Sequence, residues 1–461
     1  MNNTVQCISP IDGCLYAEQP LQSLAAAQKT AAAMRTAQAA WAARPLAERV
    51  ALVRAGIEKL CSAATEATQE LAWMMGRPVR YGGEFGGVRE RAAYMTDIAE
   101  ESLRPLIAEE SAAFSRRIER EALGLVLVIA PWNYPYLTAI NTVAPALVAG
   151  NAVLLKPAAQ TFLSGSRLAE AFTAAGVPAD ICQNVLWSRD TTTSLIADGC
   201  FDFVNFTGSV EGGRAVERAA AGTFTGIGLE LGGKDPGYVM EDANLDAAAE
   251  SLMDGALFNS GQCCCGIERI YVAASLYDDF VARAQAIAEA HLLGNPLQEE
   301  TTLGPMAARR FADLARAQID EAQASGASLL IDAKKFPQDD GGAYVMPQVL
   351  INVNHQMRIM REETFAPVVG IMKTNHDDEA ATLINDSDFG LTVSLWTHDT
   401  ARAKTFGGRL QTGTVFMNRA DYLDPALCWS GRKNTGRGGS LSVIGYHNLT
   451  RPKSYHLKKT A

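Results

Sequence analysis

The sequence predicts an α/β protein built on parallel sheets, and three observations carry that prediction. Short apolar runs of strand type alternate with helix-length amphipathic stretches along most of the chain, the rhythm of βαβ units. The 461 residues are 48% hydrophobic and 20% charged, ordinary for a globular protein. At about 150 residues per unit, such a length suggests about three units. Finally, positions 122–155 carry no charge but contain Pro131, Pro135, Pro145, Asn133, Asn141, Gly150 and Asn151. These would break a membrane-spanning helix, so the stretch reads as strand, turn, helix and strand buried within protein.

The elements follow in order. Positions 25–75 are Ala-rich with charges at helical spacing and predict two amphipathic helices; 84–101 predicts another. Positions 111–120 mix polar and apolar residues and suggest an exposed strand or hairpin. Buried strands are expected at 124–130 (GLVLVIA), 152–156 (AVLLK), 183–187 and 202–206 (DFVNF), with helices at 136–148 and 162–175 between them. A second α/β series starts after Asp235, with helices at 244–259, 277–291, 310–325 and 378–385 and strands at 269–273, 328–331 and 392–396. The stretch 441–461 reads as irregular and basic. Parallel sheets of this kind bind ligands at the carboxyl ends of their strands.

Charge and cysteine usage exclude some classes. A net charge of −10 argues against nucleic acid or an anionic membrane as partner. Nine cysteines, an odd number without disulfide-like spacing, point to free thiols and a reducing, cytoplasmic setting. Positions 1–20 have neither a basic start nor an apolar core, so no signal peptide is expected.

Four segments carry chemistry. In 258–266 (FNSGQCCCG) a Gly-flanked loop holds Cys263, Cys264 and Cys265. A thiolate in such a loop can attack a carbonyl. Successive side chains point different ways, so one nucleophile is expected, and the lack of nearby ligand spacing argues against a metal. In 228–234 (GLELGGK) Glu230 lies in an apolar run, where burial raises a carboxyl pKa and makes a general base; a partner for Lys234 or Arg269 is the plainer reading. In 130–135 (APWNYP), directly after a strand, Asn133 could donate an amide N–H to an oxyanion or merely satisfy a turn. In 205–213 (NFTGSVEGG) a Gly turn opens a helix, a setting that binds pyrophosphate.

Together these segments resemble the NAD(P)-dependent aldehyde dehydrogenase superfamily. PWNYP, LLKPAAQT, FTGSVEGG, LELGGK, GQCCCG, EETFAPVV and TGTVFMN occur in family order from about Ile8 to Lys459. The resemblance implies an aldehyde dehydrogenase-like fold with a Rossmann-like cofactor domain (1–104 and 122–232), an α/β catalytic domain (233–440) and a small β oligomerisation element (105–121 and 441–461). It implies Cys264 as nucleophile, Glu230 as base and Asn133 as oxyanion donor. It implies NAD or NADP as cofactor, contacted by Pro131, Trp132, Lys156, Ala159, Phe206, Gly208, Ser209, Gly213, Leu231, Gly232, Glu363 and Phe365. It also implies an aldehyde substrate and a homodimer or homotetramer.

Two departures bear on specificity. Many NAD-preferring relatives carry Glu where this chain has Ala159, so NADP is permitted. The family's Pro-Phe-Gly-Gly segment is replaced by Cys428-Trp429-Ser430-Gly431. Tyr134, Tyr136, Tyr422 and Trp429 are candidates for an apolar or aromatic pocket, whereas Arg419 would suit a carboxylated aldehyde. Two other activities remain open at this point: a CoA-acylating dehydrogenase, in whose relatives the base glutamate is usually absent, and a catalytically silent scaffold.

Overall fold

The computed structural model describes residues 4–420 and 422–459. Positions 1–3, 421, 460 and 461 lie outside the described residues, and with them the extreme ends of the spans 1–104 and 441–461 and one position of 233–440.

The first sheet contains five parallel strands: β1 (Leu125–Ile129), β2 (Ala152–Lys156), β3 (Cys182–Asn184), β4 (Phe203–Thr207) and β5 (Gly226–Glu230). Their order is β5-β4-β1-β2-β3, with Gly436–Arg437 antiparallel along the outer edge of β5. That last strand comes from within the span assigned to the catalytic half. β1 is buried at every position, as its unbroken apolar run requires of a central parallel strand. The chain leaves β1 toward β2 and β3, then returns to β4 on the other side. This reversal opens a crevice at the carboxyl ends of β1 and β4, where dinucleotides bind in open α/β sheets.

The second sheet holds β6 (Asp235–Val239), β7 (Ile267–Ala273), β8 (Gln348–Ile351), β9 (Val368–Thr374), β10 (Thr392–Trp396) and β11 (Thr414–Met417). They run parallel in the order β8-β9-β7-β6-β10-β11, with the short Ser328–Leu329 strand antiparallel at the β8 edge. A third sheet, antiparallel, joins Leu106–Glu110, Phe114–Ala122 and Thr450–Lys458.

Two expectations are corrected. The stretch 25–75 forms three helices, Leu24–Ala42, Leu46–Ser62 and Ala64–Met75, because Pro45 and a break at Ala63 interrupt it. The tail is ordered: helix Ser442–Asn448 leads into a nine-residue strand. Thr450 pairs with Ala122 and Lys458 with Phe114, so the ladder of a segment more than 300 positions away stabilises a strand whose own sequence looks irregular. Among the described residues, no helix is long and apolar enough to cross a membrane.

Candidate active site

The carboxyl edge of the first sheet meets the amino edge of the second. Asn133 follows β1, Gly208 follows β4, Glu230 ends β5, and the cysteine loop immediately precedes β7.

The cysteine loop is held in an uncommon backbone conformation. Asn259 and Ser260 have φ of 53° and 55°, left-handed values that non-glycine residues rarely adopt, and Gly261 follows at 69°. A Cβ at Gly261 would fall 2.1 Å from the Ala366 carbonyl oxygen, so the close approach requires glycine there. Buried side chains over-determine this turn. Asn133 Nδ2 and Asn259 Nδ2 both donate to the Gln262 carbonyl, at 3.2 and 3.1 Å. Gln262 Oε1 accepts from Ala307 N at 2.8 Å, and Ser260 Oγ donates to Gly304 O at 2.9 Å. Arg77 donates from Nε to Asn259 Oδ1 at 3.2 Å and from Nη2 to the Asn133 carbonyl. Glu84 completes the group, pairing with Arg77 at 3.0 Å and accepting from Leu137 N at 2.5 Å.

Cys263 and Cys265 are buried and Cys264 is partly exposed. All three Sγ atoms lie within 4.8 Å of one another. This corrects the expectation that successive side chains diverge: the chain turns at 264–265 before entering β7. The Cys263 thiol is pushed up to about 12, first by its hydrogen bond with Cys264 and then by burial. Cys263 is therefore protonated at neutral pH.

Glu230 Oε2 accepts from Thr207 Oγ1 at 3.2 Å, whereas Oε1 is sealed from solvent without a hydrogen-bond partner among the described residues. Burial raises its pKa; the Ser440 and Thr207 hydroxyls and the Arg91 charge pull weakly the other way. The plainer reading of Glu230, as an ion-pair partner, is not realised: Lys234 pairs with Glu268, and Arg269 Nε donates to the Lys234 carbonyl.

The cofactor side is shaped by missing side chains. A Cβ at Gly208 or Gly212 would approach the Phe206 ring to 2.8 or 2.4 Å, and one at Gly213 would meet Leu231 at 2.7 Å. Ser209 caps helix Val210–Ala220, accepting from Gly212 N at 3.2 Å. At Gly232 a Cβ would reach Glu363 Oε2 at 2.4 Å; Gly233 N donates to Glu363 Oε1 at 3.0 Å. Burial raises the Glu363 carboxyl to about 8. Phe365 has φ of 55° and is tied through its N–H to Glu268 at 2.9 Å. Trp132 stacks on Phe311 with centroids 5.2 Å apart and meets Phe365 edge-on at 5.5 Å; its neighbour Pro131 is buried. Lys156 ends β2, and burial, helped by Arg189, lowers it to about 8. Ala159 is exposed in the short turn that follows. Small residues, a capped helix start and a cation at strand ends fit a dinucleotide.

The expected substrate residues divide. The Arg77 guanidinium lies 4.5 Å from the Tyr134 ring centroid. Tyr422 donates to Glu90 at 2.5 Å and lies under Arg419, whose guanidinium is 3.5 Å from the ring centroid. Arg419 is exposed and engaged in that stack. Trp429 is buried and bridges Ser440 through paired backbone bonds. Tyr136 is corrected: it is fully buried against Phe85, at 5.1 Å, and belongs to the core. Sequence reasoning missed Arg77, Glu84, Asn259, Gln262, Arg91 and Arg189. Only Asn259 and Gln262 carried a signal, their place in the FNSGQ segment.

Comparison with known proteins identifies the family. The model of the aldehyde dehydrogenase family matches residues 1–455. A 3,6-anhydro-alpha-L-galactose dehydrogenase of Streptomyces coelicolor is 33% identical, over 99% of this chain and 94% of its own. The NADP-dependent glyceraldehyde-3-phosphate dehydrogenase of Bacillus halodurans, solved with NADP, superposes with a TM-score of 0.93 at 30% identity, covering 100% of this chain and 96% of its own. An NAD-dependent aldehyde dehydrogenase of Sinorhizobium meliloti superposes equally, at 0.93 and 30%, covering 99% and 92%. Fold and relatives define a nicotinamide-dependent oxidoreductase. The chain belongs to the aldehyde dehydrogenase family and oxidises aldehydes with NAD or NADP.

Proposed function

We propose that the chain is a hydrolytic aldehyde dehydrogenase with Cys264 as nucleophile, Asn133 as oxyanion donor and Glu230 as base. The convergence of these three at one junction of the two sheets, with Asn133 bonded to the residue two before Cys264, carries the reading. The Cys264 thiolate adds to the aldehyde carbon. The resulting oxyanion takes hydrogen bonds from the Asn133 amide and the Cys264 backbone N–H. A bound nicotinamide would supply the hydride acceptor. As the C–H bond breaks, the oxyanion re-forms a carbonyl and leaves a thioester on Cys264. Glu230 removes a proton from water, which attacks the thioester; the carboxylic acid departs and the thiolate returns. A carboxyl held above its ordinary range by burial suits that work, and the presence of Glu230, usually absent from CoA-acylating relatives, argues against release to coenzyme A.

Lys156, Phe206, Gly208, Ser209 and Gly213 would hold the adenosine and pyrophosphate end. Pro131, Trp132, Leu231, Gly232, Glu363 and Phe365 would hold the nicotinamide end. NADP is accepted because Ala159 supplies no carboxylate to oppose a 2′-phosphate near Lys156, which also feels the positive charge of Arg189. The domain division is 1–104 with 122–232 for cofactor, 233–440 for catalysis, and 105–121 with 441–461 for self-association. Leu106, Ile107, Ile118 and Leu457 leave apolar surface exposed on the third sheet, which suits a homodimer or homotetramer. A cytoplasmic location suits nine free cysteines.

The test is NAD(P)H formation, without coenzyme A, over aliphatic, aromatic and carboxylated aldehydes. Wild type turns over, and Cys264→Ala loses at least about 10⁴-fold. Full activity in the variant, or a requirement for coenzyme A, rejects the reading.

A further inference from the structure

The chemistry proposed for Cys264 makes no use of the two sulfurs beside it. Among the described residues, Cys263, Cys264 and Cys265 form the one group of three metal-ligating side chains whose donor atoms come together. Their sulfurs all lie within 4.8 Å of one another, and Cys263 Sγ is 3.5 Å from Cys265 Sγ. Four-coordinate zinc holds each sulfur at about 2.3 Å, which sets its ligands about 3.8 Å apart. That spacing falls inside the range the three sulfurs already span.

Consecutive cysteines in a strand would point to opposite faces. Here the chain turns at 264–265, and Gly266 N closes the turn by donating to the Cys263 carbonyl at 3.1 Å. The residue before the three is held in place: the Gln262 carbonyl accepts from Asn133 and Asn259, and Gln262 Oε1 accepts from Ala307 N. Such bracing orients ligands before a metal arrives. Sequence spacing argued against a metal because ligands were sought apart along the chain, whereas the turn gathers three adjacent ones. Access and donor type define the ion. Cys263 is 5% and Cys265 2% exposed, while Cys264 is partly exposed. Two sulfurs thus lie deep and the third nearer solvent, which leaves an approach past Cys264 and a fourth position for water. An all-sulfur set selects soft or borderline cations such as Zn²⁺, Cd²⁺ and Cu⁺, whereas Mg²⁺ and Ca²⁺ require oxygen.

We propose that Cys263, Cys264 and Cys265 together bind one Zn²⁺ ion, and that the bound ion silences the enzyme reversibly by occupying the nucleophile's sulfur. This regulation rests on the assignment of Cys264 made above. Each Zn–S bond replaces an S–H bond. The protons leave to solvent, no oxidation state changes, and the complex carries a single negative charge. Chelation of the ion returns the protons and the three thiols.

The experiment titrates the full-length enzyme with Zn²⁺ while NAD(P)H formation is followed, and separately with Cd²⁺, whose bonds to thiolate absorb in the ultraviolet. Activity should vanish at about one Zn²⁺ per subunit, return when a chelator is added, and ignore Mg²⁺. Cys263→Ser and Cys265→Ser, each referred to its own metal-free rate, should need at least about tenfold more Zn²⁺, since loss of an outer partner alone costs about 10- to 100-fold. With Cd²⁺, wild type should give the absorbance of three thiolates, and Cys263→Ser, Cys265→Ser and Cys264→Ala about two-thirds of it each. The absorbance of one thiolate in wild type overturns the proposal without needing a variant, because Cys264 alone then takes the ion. So does unchanged Zn²⁺ sensitivity in both serine variants, or full activity at saturating Zn²⁺. The Cd²⁺ signal does not depend on turnover. An enzyme silent toward every aldehyde, yet showing three thiolates on Cd²⁺, overturns the hydrolytic reading and upholds the metal site.

Discussion

The nucleophile loop and the cofactor turn lie at facing sheet edges, yet they are built by opposite means. Around Cys264, buried side chains hold the backbone: two amides share the Gln262 carbonyl, and Arg77 bonds Asn259 and Asn133. Around Gly208 and Gly232 the space exists because side chains are missing, with Phe206 and Glu363 occupying the room a Cβ would need. The first region should fail when groups are removed, the second when groups are added. Chemistry needs a rigid, strained turn and accepts the cost of buried polar groups, whereas cofactor binding needs close backbone approach.

Removal on the nucleophile side has the largest effects. Glu230→Gln leaves acylation possible and impairs hydrolysis, so stopped-flow absorbance should show a burst near one NAD(P)H per subunit, followed by turnover about 10²–10⁴-fold slower. The sign of the pH dependence follows from the raised pKa. Ionised base increases as pH rises through a value above 4.5, so wild-type deacylation climbs with pH and levels off, and the variant loses that limb. A variant with no burst would move the base role elsewhere. Asn133→Ala should lower kcat about 10²–10³-fold. Asn259 still holds the Gln262 carbonyl, so melting should shift little; a collapse in melting temperature instead would make Asn133 a structural brace.

Addition tests the other side. Gly232→Ala should displace the Glu363 carboxylate and raise the cofactor KM about tenfold, an overpacking cost of 1–3 kcal/mol at its low end. An unchanged KM, measured by titration at saturating aldehyde, would break the contrast between the two regions.

This contrast also explains what the sequence could tell. Strands 152–156 and 392–396 were legible to the residue, because short apolar runs between Gly, Pro and polar punctuation have few other solutions. The Gly turns were legible for the same reason: absence of a side chain is local information. What escaped was held by distant partners. The strand Thr450–Lys458 needs Phe114–Ala122. The three sulfurs converge through a turn that Asn133 and Arg77 help to hold. Arg91, in the run Arg89-Glu90-Arg91, reads as part of a solvated helix face, and only packing against helix Pro135–Ala149 buries it.

The smallest expected effect sharpens the contrast at its outer limit. Ala159→Glu adds a carboxylate beside Lys156 on the cofactor side, yet without the crowding that Gly232 would suffer, because Ala159 is exposed. Its action is therefore electrostatic, and exposed charge pairs contribute about 0–1 kcal/mol. The ratio of kcat/KM for NADP to that for NAD should fall about fivefold, by repulsion of the 2′-phosphate. Because the repulsion is between exposed charges, 0.5 M salt, at an assumed Debye length of about 4 Å, should recover most of the loss. A fall that persists in salt would mean the new side chain acts by shape, and the adenosine end would then obey the same steric rule as Gly208 and Gly232.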